Sequence, residues 1–271
     1  MSSDIALTAS ARANLLALQS TSSMLDRTQN RISTGKKVNS ALDNATAYFS
    51  SQGFLQRAND LQNIKDGLST SLQTIKAASN AIDAITKAVQ QAQGLAISAQ
   101  QSQDTNTRSG LATQFNALLT QINNLVADAT FNGTNLLVAG SSLGVNFNEN
   151  SAAELTIAGV GLDATTLGID LAANGWAGVA QITTSAADLS TALSSLRTAA
   201  ANFGTNSTIV QTRQDFTAEL INTLTTASDN LVLADTNEEG ANMQALQARL
   251  QLGVVSLGIS GQQAQAILRL F

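Results

Sequence analysis

The sequence predicts a mainly α fold, a long antiparallel helical bundle or coiled-coil rod with a small β-hairpin region. Three observations predict it. Apolar residues recur at heptad spacing through six repeats between Ala58 and Gln101. The 271 residues contain no proline, so no helix is broken by a missing N–H donor and a ring clash. Only 4% of residues are aromatic although 44% are hydrophobic, which suits close helix packing better than a ligand cavity.

The elements follow in chain order. Ala11, Leu18, Leu25 and Ile32 stand at seven-residue steps, with Leu15 beside them, and predict a first helix. Leu61, Leu68, Ile75, Ile82, Val89 and Ala96 form the first row of the long heptad helix. Ile64, Ser71, Ala78, Ile85, Ala92 and Ala99 form the second, with Ser71 its one polar member. At 1.5 Å per residue such a helix is roughly 60 Å long and needs partners along its length. Asp104 to Thr107 offers N-cap chemistry for the next helix, which carries Leu111, Phe115, Leu118, Ile122, Leu125 and Ala129. It should end near the turn signal Asn132-Gly133 and fold back antiparallel on the long helix.

From about 131 to 187 the pattern changes. LLVAG, LGVNF and LTIAGVG are short β-type runs, with Asn148 to Asn150 a hairpin tip, and predict one or two small hairpins. The lone Trp176 reads as a structural anchor. Leu189, Leu193, Leu196, Ala200 and Phe203 restore helical spacing, continued less cleanly by Val210, Phe216, Leu220, Ala227 and Leu231. The last helix opens on a capping box of Thr236 with Glu239 and carries Leu250, Val254, Leu257, Gly261, Ala264, Leu268 and Phe271.

Composition narrows function. Without cysteine there is no disulfide frame, thiolate nucleophile or sulfur-ligated metal, and without histidine the commonest general base and metal ligand are gone. No catalytic, cofactor-binding or metal residues are expected, and an enzyme is the weakest hypothesis. Lys and Arg total only 14 against a net charge of −5, which gives no reason to expect nucleic acid. No apolar run approaches the roughly 18 residues of a membrane span. The N-terminus does not resemble a cleaved secretory signal.

The terminal stripes carry few large apolar groups. Each gives about 1.5–3 kcal/mol when fully buried, against about 1–2 kcal/mol for ordering each residue's backbone. Alone these helices should fray, so their stripes are expected to be buried by each other and by neighbouring chains, the alternative being that they pack on the central bundle as ordinary amphipathic helices.

Several motifs then match a known family. Arg31 to Ala45, RISTGKKVNSALDNA, resembles the N-terminal signature of bacterial flagellins, commonly R-L-S-S-G-x-R-I-N-S-A-x-D-D-A. Asn39, Ser40, Ala41 and Asp43 stand in family positions, while Ile32, Thr34, Lys37, Val38 and Asn44 are mild departures. FNGTNLL at 131–137, LTIAGVGLDATTLGI at 155–169 and ADTNEE at 234–239 resemble further flagellin segments in the same order.

The resemblance implies an inner part, D0, of residues 1–43 plus 231–271, in which the terminal helices pair. It implies a helical D1 part of 44–230 that includes the hairpin region 131–187, with no separate D2 or D3. Arg31, Gly35, Asn39, Ser40 and Asp43 would mark the D0–D1 junction. Leu18, Leu25, Ile32, Leu250, Val254, Leu257, Leu268 and Phe271 would make the inner contacts of a polymer. The implied function is a structural subunit of the flagellar filament whose two ends fold on assembly. The implied partners are other flagellin copies, an export chaperone on the C-terminal helix, and hook-associated junction and cap proteins. The implied location is extracellular, reached through type III export without a cleaved signal. A hook–filament junction protein and a chemoreceptor-type signalling coiled coil are the rivals. Many flagellins also carry Q-R-x-R-E-L-A, read by an animal surface receptor. Here both arginines are glutamine, Gln91 and Gln93, and the acidic residue is Gly94, so weak activation is expected.

Overall fold

The computed structural model describes residues 9–150 and 152–268. Among the described residues, five α-helices and one antiparallel strand pair run in the order α1 (Ala9–Thr34), α2 (Ala45–Gln101), α3 (Thr105–Asp128), β1 (Ser142–Asn146), β2 (Glu154–Ala158), α4 (Val179–Val232) and α5 (Thr236–Leu268). The chain divides into two compact units, Met1–Arg57 with Thr223–Phe271, and Ala58–Asn222.

The unit Ala58–Asn222 has a core of α2, α3, α4 and the hairpin region. Leu61, Leu68, Ile75, Ile82, Val89 and Ala96 are all buried, as is Ser71, whose hydroxyl donates to the Gly67 carbonyl at 2.9 Å. That bond inside its own helix lets a polar residue sit on a buried row. Asp104 caps α3, its carboxylate accepting from the amides of Asn106 at 3.3 Å and Thr107 at 2.9 Å. Arg108 is buried behind this cap and donates to the Ser102 carbonyl at 2.7 Å and the Ala177 carbonyl at 3.3 Å.

Asparagines on α3 tie down the segment between the strands and α4. Asn123 and Asn116, seven residues apart on one face, accept from the amides of Ala164 and Ala172, each at 2.9 Å. Trp176 is fully buried, its ring 4.8 Å from that of Phe115, and its indole N–H donates to Ser185.

After α3 the chain reverses at Asn132 (φ 49°) and Gly133 (φ 78°), both left-handed, between Phe131 and Thr134. This is the backbone that Asn-Gly supplies at little steric cost. LLVAG, expected as a strand, is instead a run of turns that drives Leu136 and Leu137 into the core. One hairpin forms, β1 with β2, in the register Ser142↔Ala158 to Asn146↔Glu154. Its inward face supplies Val145 and Ile157, and residues 148–150 lie in its connection. The LLVAG backbone is held instead by turns: the amides of Val160 and Leu162, just after β2, donate to the Leu136 and Leu137 carbonyls at 2.9 and 3.1 Å, and the Leu137 amide donates to the Asn135 side chain at 2.9 Å.

The α4 helix is unbroken, and its buried row steps through Leu189, Leu196, Phe203, Val210 and Thr217. Phe216, expected in this stripe, is exposed. Thr217 takes the buried place, its hydroxyl bonded to the Arg213 carbonyl at 2.8 Å.

In the other unit α1 packs along α5. Within the same unit Ser51 of α2 and Ser228 of α4, both buried, share a hydrogen bond of 2.8 Å. The N-cap of α5 is Asp235, not Thr236. Its carboxylate accepts from the amides of Asn237 at 2.9 Å and Glu238 at 3.3 Å. Glu239, expected to complete a capping box, turns to Arg31 instead.

Candidate functional site

The α1/α5 pair is built from residues at alternating three- and four-residue steps. On α1 the buried or half-buried positions are Ala11, Asn14, Leu18, Thr21, Leu25, Thr28 and Ile32. On α5 the matching row is Glu239, Met243, Leu246, Leu250, Gly253, Leu257 and Ser260, and Arg31 of α1 and Gly240 of α5 are half-buried beside these rows. Leu18 lies over Gly253 so closely that a Cβ there would stand 3.1 Å from its Cγ and Cδ2. Apolar and polar members alternate along α1. Asn14 donates to Ser256 at 3.3 Å and Ser260 at 3.5 Å, and Thr21 donates to its own helix at the Ala17 carbonyl.

Of the expected inner-contact residues, this seam includes Leu18, Leu25, Ile32, Leu250 and Leu257. Val254 is 57% exposed and lies off it. The steps from Leu250 to Leu257 pass through Gly253, because that side lets α1 approach closely. Leu268 has its backbone in α5 but no described side chain, and Phe271 lies outside the described residues. Leu246, buried on the seam, was missed by sequence reasoning, although its spacing of four before Leu250 extends the stripe.

The turn between α1 and α2 brings the signature residues into one neighbourhood. Arg31 pairs with Glu239 at 2.8 Å, the carboxylate side chain only 9% exposed. Gly35 adopts φ 68°, where a side chain would be strained, and its carbonyl accepts from Ala234 at 3.0 Å. Lys36 bridges Leu233 antiparallel, and the Lys37 amide donates to the Val232 carbonyl at 2.7 Å. The Lys37 ammonium reaches the Asn230 carbonyl at 2.9 Å. Asp43 accepts from the amides of Asn39 and Ser40, each at 3.0 Å. Those two amides, with smaller help from the Ser40 hydroxyl and the Arg31 charge, hold the carboxyl below its ordinary value. Asn44 then caps α2 by accepting from Ala47 at 3.0 Å.

The outward faces of the pair are apolar in places. Leu15 and Leu16 of α1 and Leu252, Val254, Val255 and Ile259 of α5 are all exposed. Such residues grouped on one short helix pair mark a surface that other protein can cover.

Gln91 and Gly94 are exposed on α2 and Gln93 is half-buried. Gln91 and Gly94 line a shallow groove with Leu95 and Ser98, opposite Gln114, Leu118 and Gln121 of α3, and no charged side chain lines it. Among the described residues no group of three His, Cys, Asp or Glu could hold a metal ion, and no helix is long and apolar enough to cross a membrane.

The bacterial flagellin N-terminal helical region matches residues 5–142. Flagellins FljM and FljK of Caulobacter vibrioides are each 33% identical over 269 residues, 95% of this chain and 95% of their own length. A flagellin of Brucella melitensis is 30% identical over 274 residues, 97% of this chain and 96% of its own. The crystal structure of Bacillus cereus flagellin matches with a TM-score of 0.50 at 16% identity, over 56% of this chain and 88% of that one, a likeness of fold.

Proposed function

The chain belongs to the bacterial flagellin family and is a structural subunit of the flagellar filament, and from that premise we propose that its two ends fold as they are buried by neighbouring copies. The observation that carries this reading is the exposed row Leu252, Val255 and Ile259 on a helix whose other face is already used by α1. Each such side chain adds about 1.5–3 kcal/mol when fully buried. A solitary α1/α5 pair forgoes that while still ordering both backbones at about 1–2 kcal/mol per residue. Contact with further copies tips the balance.

In this reading residues 1–43 and 231–271 form the inner D0 part and 44–230 the D1 part, with Arg31, Gly35, Asn39, Ser40 and Asp43 at the junction. Leu18, Leu25, Ile32, Leu250 and Leu257 hold the two ends together, Val254 faces a neighbouring copy, and Leu268 and Phe271 extend the inner contact. Export is uncleaved, a chaperone covers the C-terminal helix beforehand, and hook-associated junction and cap proteins bound the polymer.

Deleting 250–271 tests the reading. The expected product is a soluble, largely helical monomer that does not polymerise. Normal filaments from it, seen by electron microscopy, would sink the proposal.

The groove at Gln91 and Gly94 offers no charge for charge-assisted hydrogen bonds, which supports weak activation of the animal receptor. Full potency in a cell reporter assay would refute that.

A further inference from the structure

We propose that two polar contacts, Asn14 with Ser256 and Ser260, and Arg31 with Glu239, carry along the seam the register that the backbone bonds of Gly35, Lys36 and Lys37 to Ala234, Leu233 and Val232 begin, so that α1 and α5 close in one alignment only. The proposal rests on the pairing of the two ends described above and adds which residues choose the alignment.

The two contacts stand at opposite ends of the seam and agree. In an antiparallel pair, facing residue numbers have a roughly constant total; 14 with 256 and 31 with 239 both give 270, and 14 with 260 lies one helical turn beyond that line. Leu18 over Gly253 falls one residue from the same line. Two contacts so far apart in sequence therefore report one alignment.

The apolar residues alone do not choose it. The α1 row Ala11, Leu18, Leu25 and Ile32 repeats every seven residues. A slip of one heptad moves the helices about 10 Å along each other and keeps the facing rows in phase. In one direction Leu25 replaces Leu18 over Gly253 and Ile32 comes opposite Leu246. In the other, Leu18 comes opposite Leu246. Both alignments still bury leucine.

The polar residues do distinguish them. The first slip takes Arg31 to Leu246 and leaves Glu239 facing the loop after α1. The second sets Met24 against Glu239 and Asn14 against Arg249. In the observed register Glu239 is 9% exposed and paired with Arg31, and either slip takes that guanidinium away from it. Removing one partner of such a pair costs far more than the pair gains over apolar substitutes. A lone polar residue on a coiled-coil seam fixes register in the same way.

The absence of cysteine makes the test clean. Three cysteine pairs are placed in the full chain and oxidised in assembled filaments, and bonds within one chain are separated from bonds between chains by gel mobility. Leu18→Cys with Gly253→Cys reports the observed register. Leu25→Cys with Gly253→Cys, and Leu18→Cys with Leu246→Cys, report the two slips, which lie beyond disulfide reach in the observed register. In the native background only the first pair should close. With Asn14→Leu, Arg31→Leu and Glu239→Leu together, the slipped pairs should gain about tenfold in closed fraction, the change that 1.4 kcal/mol produces.

The charge exchange gives an independent arm should the triple variant fail to assemble. Arg31→Glu alone should cut closure of the first pair, and adding Glu239→Arg should restore it. Slipped pairs closing in the native background would overturn the proposal. So would slipped pairs staying open in the leucine variant while the first pair closes, or an exchange that does not restore. If no pair closes in well-formed filaments, the end-pairing reading falls as well, which separates the two failures.

Discussion

The side chain of Leu18 packs tightly over Gly253: a Cβ there would stand 3.1 Å from both its Cγ and its Cδ2. A glycine inside a helix costs about 0.8–1 kcal/mol relative to alanine. Close approach of α1 is what it provides in return.

Gly253→Leu should therefore destabilise the pair. The gain in helix propensity is below about 1 kcal/mol, whereas overpacking a filled contact costs about 1–3 kcal/mol. Adding Leu18→Ala should recover at least half of the loss, because it vacates the space. Thermal disassembly of filaments followed by circular dichroism checks both. An equal loss in the single and double variants would show that the contact does not limit the approach.

The buried Ser51–Ser228 pair predicts a non-additive cycle. Ser228→Ala strands the Ser51 hydroxyl and should cost about 1–3 kcal/mol, while the double alanine variant should cost less than the sum of the singles. Urea unfolding of the monomer measures each. Additive losses would mean that the two hydroxyls do not depend on each other.

Trp176 is the only tryptophan and is fully buried beside Phe115. Its emission should be blue-shifted relative to the unfolded chain and should report the unit Ala58–Asn222 alone. Deleting 250–271 should leave that signal unchanged, and Trp176→Ala should destabilise the unit by about 3–5 kcal/mol. A red-shifted emission in the deletion variant would contradict the placement of Trp176 in a core independent of the chain ends.

Asp43 predicts a pH-dependent turn. Its folded pKa lies below the unfolded value of 3.8, chiefly through the Asn39 and Ser40 amides. The stabilisation is therefore complete above that value and is lost as pH falls through the folded pKa. Amide exchange at Asn39 and Ser40, corrected for intrinsic rates, should be slowed above about pH 5 and should lose that protection under strong acid. Asp43→Asn should flatten the dependence. Unchanged protection in that variant would assign the turn's order to other bonds.

The parts of the fold that are legible in the sequence are those where one period persists. Six heptads from Leu61 leave α2 no alternative face. The seam of α5 is less legible, since Leu250 and Leu257 belong equally to a frame through Gly253 and one through Val254. Only the approach of α1 decides between them. On α4 the buried row passes through Thr217, which a count of apolar residues skips in favour of exposed Phe216. At the start of α5, Asp235 and Thr236 are adjacent capping residues of equal merit. Asp235 takes the cap with its own carboxylate, and Glu239 is bound instead to Arg31, a residue 208 positions away. The β-type composition of LLVAG misleads because its backbone groups are taken by the Asn135 side chain and by the amides of Val160 and Leu162, bonds that composition does not show.

The alternation of leucine with asparagine and threonine along α1 has a consequence for how the pair comes apart. Thr21 already satisfies its hydroxyl within its own helix, and Asn14 exchanges two serine hydroxyls for water when the helices part. Separation thus wets few large apolar groups and strands no hydroxyl. The seam behaves as a fastener that can be opened and reclosed at small expense, so tight adhesion has to come from the number of copies gathered around it.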